Sequence, residues 1–257
     1  MHTRPGSIRE TASMWNYEVI STDYEAENLI HNYCFTEDSL IRSGMPRYDF
    51  IDADRQPKRR ILFAPSWRNY LIGSPDSNGN RADVPEKFLH SKFYQETQSL
   101  LKSQKLHDLL EKHDYYLDFK LHPIFSAYES LYSVESDRIH IGKSLEEADY
   151  CCCISDFSSY TFDFVYLKRP IFYFFPDYEL FRAGMFSYRE LDLPLENGFG
   201  PLAETADEMI RELAQLLENN CIPDTKFSKK EADFFYHYDN ACRDRIYEQL
   251  IQGSRMC

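Results

Sequence analysis

Cys151-Cys152-Cys153-Ile154-Ser155-Asp156-Phe157-Ser158-Ser159-Tyr160-Thr161-Phe162-Asp163 is an apolar run that stops abruptly at hydroxyls and a carboxylate and then continues as an amphipathic stretch. The first part has the length and burial pattern of an interior strand, and the spacing predicts a helix over 158–167. A strand that runs straight into a helix start gathers free backbone N–H groups and side-chain hydroxyls at the positive end of the helix dipole. Such a place suits phosphate, so Ser155, Asp156, Ser158 and Ser159 are candidate ligand-binding residues.

Two further strand ends of this kind lie upstream, in Ile61-Leu62-Phe63-Ala64-Pro65-Ser66-Trp67-Arg68 and Tyr116-Leu117-Asp118-Phe119-Lys120-Leu121-His122-Pro123. Open parallel α/β sheets bind ligands outside the carboxyl ends of their strands, so three polar strand ends point to one site. Residues two apart on a strand share a face, which projects Lys120 and His122 together as an anion receptor. The plain alternative is a lysine that snorkels to solvent beside a capped core histidine. Ser66 offers a hydroxyl, and Arg68 offers either a planar fork for phosphate or an ordinary surface arginine. Asp156 and Asp163 accept ribose or base hydrogen bonds, or else cap the helix start; the place of Asp163 one turn into the helix favours the structural role.

Working outward, strands are expected at Tyr17 to Ser21, Leu40 to Ser43, Arg138 to Ile141 and Ile171 to Phe175, besides the three already described. Helices are expected at Asp23 to Tyr33, Phe88 to Lys112, Ser126 to Tyr132, Thr205 to Asn219 and Lys229 to Gln252. Tyr70 to Pro85, with its Gly, Pro and Asn, reads as a mobile loop. Strands separated by helices predict an α/β fold with a Rossmann-like parallel sheet covered on both faces. Residues 1–16 read as a short tail and residues 17–257 as one domain.

Composition narrows the function. In 257 residues, 43% hydrophobic content with 16% aromatic residues supports a packed core rather than a disordered chain. A net charge of −13 repels nucleic acid and anionic lipid, so any anionic ligand needs a local basic pocket. No apolar run reaches the roughly 20 residues of a membrane helix and Met1 to Glu10 lack a signal peptide, so a soluble cytoplasmic protein is expected. The cysteines number seven and form no C-x-x-C pair. Because neighbouring strand residues point to opposite faces, Cys151 to Cys153 are expected to be buried free thiols and not metal ligands.

Taken in order, Ser43-Gly44-Met45-Pro46-Arg47-Tyr48-Asp49, the Ile61 to Arg68 run, Lys120-Leu121-His122-Pro123, Ile154 to Asp163, Lys168-Arg169-Pro170-Ile171 and Phe174-Phe175-Pro176-Asp177-Tyr178 resemble the CDP-glycerol glycerophosphotransferase family, the teichoic-acid and capsule polymerases and primases of bacteria. The resemblance spans roughly Tyr17 to Leu250. It implies the carboxyl-terminal, donor-binding half of a GT-B type enzyme that takes CDP-glycerol or CDP-ribitol. It further implies that His122 contacts the pyrophosphate and stabilises departing CMP, making it the catalytic candidate. On the same pattern Ser158 and Ser159 hold phosphates, Arg68 lies near the same anion, Arg47 and Asp49 shape the pocket floor, and Asp177 belongs to the substrate-binding set. The acceptor would be a polyol phosphate or a lipid-linked chain whose hydroxyl attacks the distal phosphorus directly, with no cofactor and no metal required.

Family members place a second half, with the acceptor site, before this one, and nothing ahead of Tyr17 is long enough to supply it. The chain then reads as a fragment, an isolated donor-binding domain, or a shortened homologue that needs a partner chain for the acceptor half, and peripheral attachment at the inner membrane face would come from such a partner or from the missing half. Two other readings stay open: a donor-nucleotide binding module with no turnover of its own, and a sugar-nucleotide glycosyltransferase of similar architecture.

Overall fold

The computed structural model describes residues 17–73, 84–186, 191 and 193–254. The expected tail 1–16 and the middle of the expected 70–85 loop lie outside them. The main sheet has six parallel strands: β3 (Arg60–Phe63), β4 (Tyr116–Phe119), β5 (Ile139–Ile141), β6 (Cys152–Ser155), β7 (Ile171–Phe174) and β8 (Leu202–Ala203). Their spatial order is β5-β4-β3-β6-β7-β8, the doubly wound order that reverses direction between the first and fourth strands of the sheet. The crevice of such a sheet opens at that reversal, here between the carboxyl ends of β3 and β6.

The strands read as near-continuous apolar runs because both faces are covered. Ile61, Phe63, Phe119, Ile154 and Phe174 point into one buried layer. Leu62, Cys153, Tyr173 and Phe175 point into the other. The first layer is closed by α2 (Pro85–Leu89), α3 (Lys92–Lys102), α4 (Gln104–His113) and α7 (Ala206–Glu218). The single helix expected from Phe88 to Lys112 is thus three. It breaks at Ser91, whose hydroxyl caps α3 by accepting from the Tyr94 N–H at 3.1 Å, and again at Ser103. Hydroxyl residues compete for backbone groups and so favour helix ends. The start of α7 carries a capping box in which Thr205 and Glu208 satisfy each other's backbone N–H groups.

The second layer holds α5 (Thr161–Tyr166) and α6 (Tyr178–Arg182), with Phe235 from the carboxyl-terminal segment. The expected final helix divides into α8 (Thr225–Ala232) and α9 (Cys242–Ser254). The segment between them packs Phe235 onto Tyr48 at 5.1 Å and Tyr166 at 5.8 Å. Asp49, expected on the pocket floor, instead caps α9: its carboxylate accepts the N–H groups of Cys242 at 2.8 Å and Arg243 at 2.9 Å. Burial alone would raise its pKa, but these donors outweigh that and hold it down to about 2.

A separate small unit precedes the main sheet: β1 (Glu18–Val19), α1 (Asp23–Tyr33) and β2 (Leu40–Ile41), with β1 and β2 paired parallel. It has its own apolar cluster around Ile20, Leu29 and Phe35. The carboxyl-terminal segment ties it down, since the Tyr236 N–H donates to the Ser21 carbonyl at 2.9 Å and the Tyr236 hydroxyl to Asp23 at 2.8 Å. No helix among the described residues is long and apolar enough to cross a membrane.

One buried carboxyl group has no partner among the described residues. Glu231, on α8, is fully buried, and neither carboxylate oxygen has a hydrogen-bond partner among the described residues. Burial pushes its pKa from an ordinary 4.5 up to about 8. The folded form therefore keeps a proton that the unfolded chain releases near pH 4.5, and stability falls as pH rises between those values. Glu231→Gln is expected to melt with the parent at pH 5 and at least about 3 °C above it at pH 9, where 1 kcal/mol is worth roughly 2–4 °C. Melting curves at the two pH values test this; a difference independent of pH would mean that Glu231 is ionised and paired in the fold.

Candidate functional site

Beneath the crevice lies a buried ionic shelf. The chain leaving β3 turns so that the Ser66 N–H donates to both carboxylate oxygens of Asp156, each at 3.0 Å, linking the loops on the two sides of the sheet's reversal. Arg68 is fully buried. Its guanidinium donates to Asp156, to Asp177 at 2.9 and 3.0 Å, and to the Ser66 carbonyl at 2.8 Å. The rings of Phe93, Phe157, Phe175 and Phe186 surround it, Phe93 at 4.3 Å. Burial opposes its charge, but the two carboxylates more than compensate and raise its pKa.

This corrects the expectation of a phosphate fork at Arg68: with no exposed surface and its donors occupied, it holds the loops and does not face a ligand. The same holds for two other candidates: the Ser155 hydroxyl donates to the Ala64 carbonyl at 2.6 Å, and Asp177 accepts from Arg68 and from the Tyr70 hydroxyl. Asp156 lines the cleft wall, with its oxygens accepting from Ser66 and Arg68. Their chemistry is that of a platform which fixes the loop above.

That loop presents Ser158, half-buried, and Ser159, exposed. The expected helix begins three residues later than its pattern suggests, at Thr161, because residues 158–160 form a turn in which the Thr161 and Phe162 N–H groups bond the Ser158 and Ser159 carbonyls. The Ser158 hydroxyl accepts from the Tyr160 N–H at 3.2 Å, while the Ser158 and Ser159 N–H groups have no partner among the described residues. Both serines line a cleft of about 600 Å³ whose opposite wall comes from the small unit, through Ser21, Thr22 and Glu25. The start of α1 holds that wall: the Thr22 hydroxyl caps it by accepting the Glu25 N–H at 3.1 Å, and Glu25 accepts the Ser21 N–H at 2.6 Å. The Thr-Asp-Tyr-Glu sequence signals this helix start, but nothing in it signals that the helix end faces the serines.

Arg47 is exposed at the cleft and lies 2.7 Å from Asp163, which is buried. Burial, and Glu147 to a smaller extent, raise the Asp163 pKa to about 6 against the pull of Arg47. Asp163, expected to steady the helix start, is paired with the Arg47 guanidinium. Tyr160, for which the sequence carries no signal of a role, donates its hydroxyl to Glu147 and has the Lys120 ammonium 5.8 Å from its ring centre.

His122 is exposed beyond β4, outside the cleft's lining but on the same edge of the sheet, with its ring 6.3 Å from that of Trp67. Its Nδ1 accepts the Ile124 N–H at 3.3 Å, which places the proton of the neutral ring on Nε2. Burial lowers its pKa below 6.5, with Asp156 partly offsetting the effect. The edge therefore combines a neutral N–H donor, the half-buried ammonium of Lys120, two serines with free N–H groups and one anchored guanidinium, a set suited to an anion that carries several oxygens. Ser66 contributes its backbone N–H to Asp156, and its side chain is buried.

The family model for CDP-Glycerol:Poly(glycerophosphate) glycerophosphotransferase matches residues 1–252. Among curated relatives, the teichoic acid poly(glycerol phosphate) polymerase of Bacillus subtilis is 29% identical over 90% of this chain and 30% of its own length. The minor teichoic acid biosynthesis protein GgaB of the same organism is 24% identical over 86% of this chain and 24% of its own length. The chain thus spans 24% and 30% of the length of these two relatives. Among solved structures, the wall teichoic acid polymerase TagF superposes with a TM-score of 0.64 at 18% identity, covering 98% of this chain and 63% of that one. The likeness extends the architecture beyond the main sheet to nearly all of the chain.

Proposed function

The chain belongs to the CDP-glycerol:poly(glycerophosphate) glycerophosphotransferase family, and from that premise we propose that it binds a CDP-activated polyol phosphate at the β3–β6 reversal and transfers the polyol phosphate to an acceptor hydroxyl, releasing CMP. The observation that carries this reading is a cleft at the sheet's reversal lined by Ser158, Ser159 and Arg47 beside a fixed ionic platform, with Lys120 and His122 following β4 on the same edge of the sheet. In support, a TagF structure of the same architecture was soaked with CDPG. In the reaction the acceptor oxygen forms a bond to the distal phosphorus as the bond to the bridging oxygen breaks, the hydroxyl proton passes to solvent or a base, and CMP leaves with the bridging oxygen. The Nε2–H of His122 donates to that oxygen, and the serine loop holds the phosphate charge in place before reaction. Glycerol is the favoured polyol and ribitol the other member of the same class. The acceptor is a teichoic-acid or capsule-type polyol phosphate, lipid-linked at its start, which would bring the protein to the inner face of the membrane beside an acceptor half on this or a partner polypeptide.

The test is CMP release from CDP-glycerol in the presence of a glycerol phosphate oligomer, run beside a binding titration. Binding with release supports transfer, and binding without release leaves a donor-binding module. Displacement by UDP- or GDP-sugars as readily as by CDP-polyols would replace both with a sugar-nucleotide enzyme. Ser158→Ala is expected to weaken CDP-glycerol binding about tenfold or more, the value of one hydrogen bond to a charged group, with an unchanged melting profile. Affinity equal to the parent's would remove Ser158 from the site.

A further inference from the structure

At the amino end of the sheet, opposite the donor site, three thiols meet. Cys152 opens β6, Cys151 sits in the bend before it, and Cys221 follows α7 in a left-handed turn with φ 59°. Neighbours within a regular strand face opposite ways, which is why the sequence separates these cysteines. Cys151, however, precedes the strand, so it and Cys152 enter the same apolar layer, against which Cys221 packs, while Cys153 enters the other. The Cys151 and Cys152 sulfurs are 4.0 Å apart, those of Cys151 and Cys221 3.2 Å, and all three lie within 4.8 Å of one another. Tyr115 belongs to the same apolar layer, and the Arg59 guanidinium lies 5.5 Å from its ring centre.

We propose that Cys151, Cys152 and Cys221 form a three-thiolate site for a soft d10 cation of the Zn²⁺, Cd²⁺ or Cu⁺ class. A cation about 2.3 Å from each of three sulfurs in a plane sets them about 4 Å apart, inside the range these atoms occupy. Hard cations such as Mg²⁺ and Ca²⁺ seek oxygen ligands, and this pocket presents sulfur. On binding, the three S–H groups give their protons to solvent and three metal–sulfur bonds form. Arg59 lies where it offsets the negative charge that three thiolates leave around a mono- or divalent ion. The bound ion joins the end of α7 to the start of β6, the strand whose other end carries the serine loop.

The test uses the full chain with Cys34 and Cys257 replaced by serine, fully reduced and titrated with Cd²⁺. A sulfur-to-cadmium charge-transfer absorbance that saturates at one equivalent is expected, and bound Cd²⁺ should shield Cys221 from alkylation. Cys221→Ser, at a partly exposed position, should weaken binding more than about 100-fold, beyond the 10–100-fold that loss of an outer-shell partner costs. Absorbance that stays flat through one equivalent, Cys221 alkylated equally fast with and without Cd²⁺, or a folded C221S variant that binds as tightly as its parent would each overturn the site. So would peptide mapping that finds a Cys151–Cys221 disulfide formed in the presence of Cd²⁺.

Discussion

Arg68→Ala is expected to destabilise the protein by about 3–5 kcal/mol, because it leaves two buried carboxylates facing each other without a cation. For a chain of this size that lowers the melting temperature by roughly 6–20 °C, a large part of the 5–15 kcal/mol that holds a typical domain together. The whole Arg68 side chain is out of contact with solvent, as are Asp156 and nearly all of Asp177. Water therefore cannot take over the role of the guanidinium. Arg68→Lys should recover only part of the loss, since one ammonium cannot reproduce a fork that donates at once to Asp177 through Nε and Nη2 and to Asp156 through Nη1.

The companion variant decides the interpretation. Arg68→Met combined with Asp156→Asn and Asp177→Asn removes all the charge together, and buried ion clusters replaced in this way are often as stable as the original. It should melt well above Arg68→Ala. If instead Arg68→Ala melts like the parent and loses only affinity for CDP-glycerol, Arg68 is a ligand-facing residue and does not hold the platform together.

Much of the fold is legible in the sequence for a simple reason. A strand buried on both faces cannot hide its apolar run, and Ile61 to Phe63, Cys152 to Ile154 and Ile171 to Phe174 stand out at once, while Leu117 and Phe119 flank the buried Asp118. The two residues of β8, Leu202 and Ala203, carry no such signal and join the sheet only because β7 offers its edge. The helix breaks at Ser91 and Ser103 are visible as hydroxyls, but the amphipathic period runs through them and masks the caps.

The strand ends point to the site for the same topological reason that the strands point to the sheet. What one sequence does not reveal is the depth of each polar residue. Arg68 follows a strand just as a phosphate-gripping arginine would. Its burial depends on Asp177, 109 residues away, and on four aromatic rings from different elements. The cysteines carry the same lesson, for alternation along a strand holds only inside the strand and Cys151 stands one residue outside it.

In the proposed reaction, His122→Ala should slow polyol-phosphate transfer about 100–1000-fold, the range set by loss of one donor aimed at developing negative charge, while weakening donor binding far less. The melting temperature should hold, since His122 is exposed and its one internal bond, from the Ile124 N–H to Nδ1, only orients the ring. That orientation makes the rate depend on pH. Burial keeps the imidazole neutral below its ordinary 6.5, so at pH 7 Nδ1 accepts and Nε2 donates. As pH falls through the lowered pKa, Nδ1 takes a proton, the Ile124 contact is lost and the ring loses its hold. The folded form resists this proton and the unfolded chain does not, so the group's contribution to stability also declines as pH drops below 6.5. Transfer rates should therefore be level above pH 6.5 and fall on the acid side, and the acid limb should vanish in the residual activity of His122→Ala. Transfer by that variant at the parental rate, or an acid limb that survives the substitution, would exclude His122 from the chemistry and leave it a residue of the sheet edge.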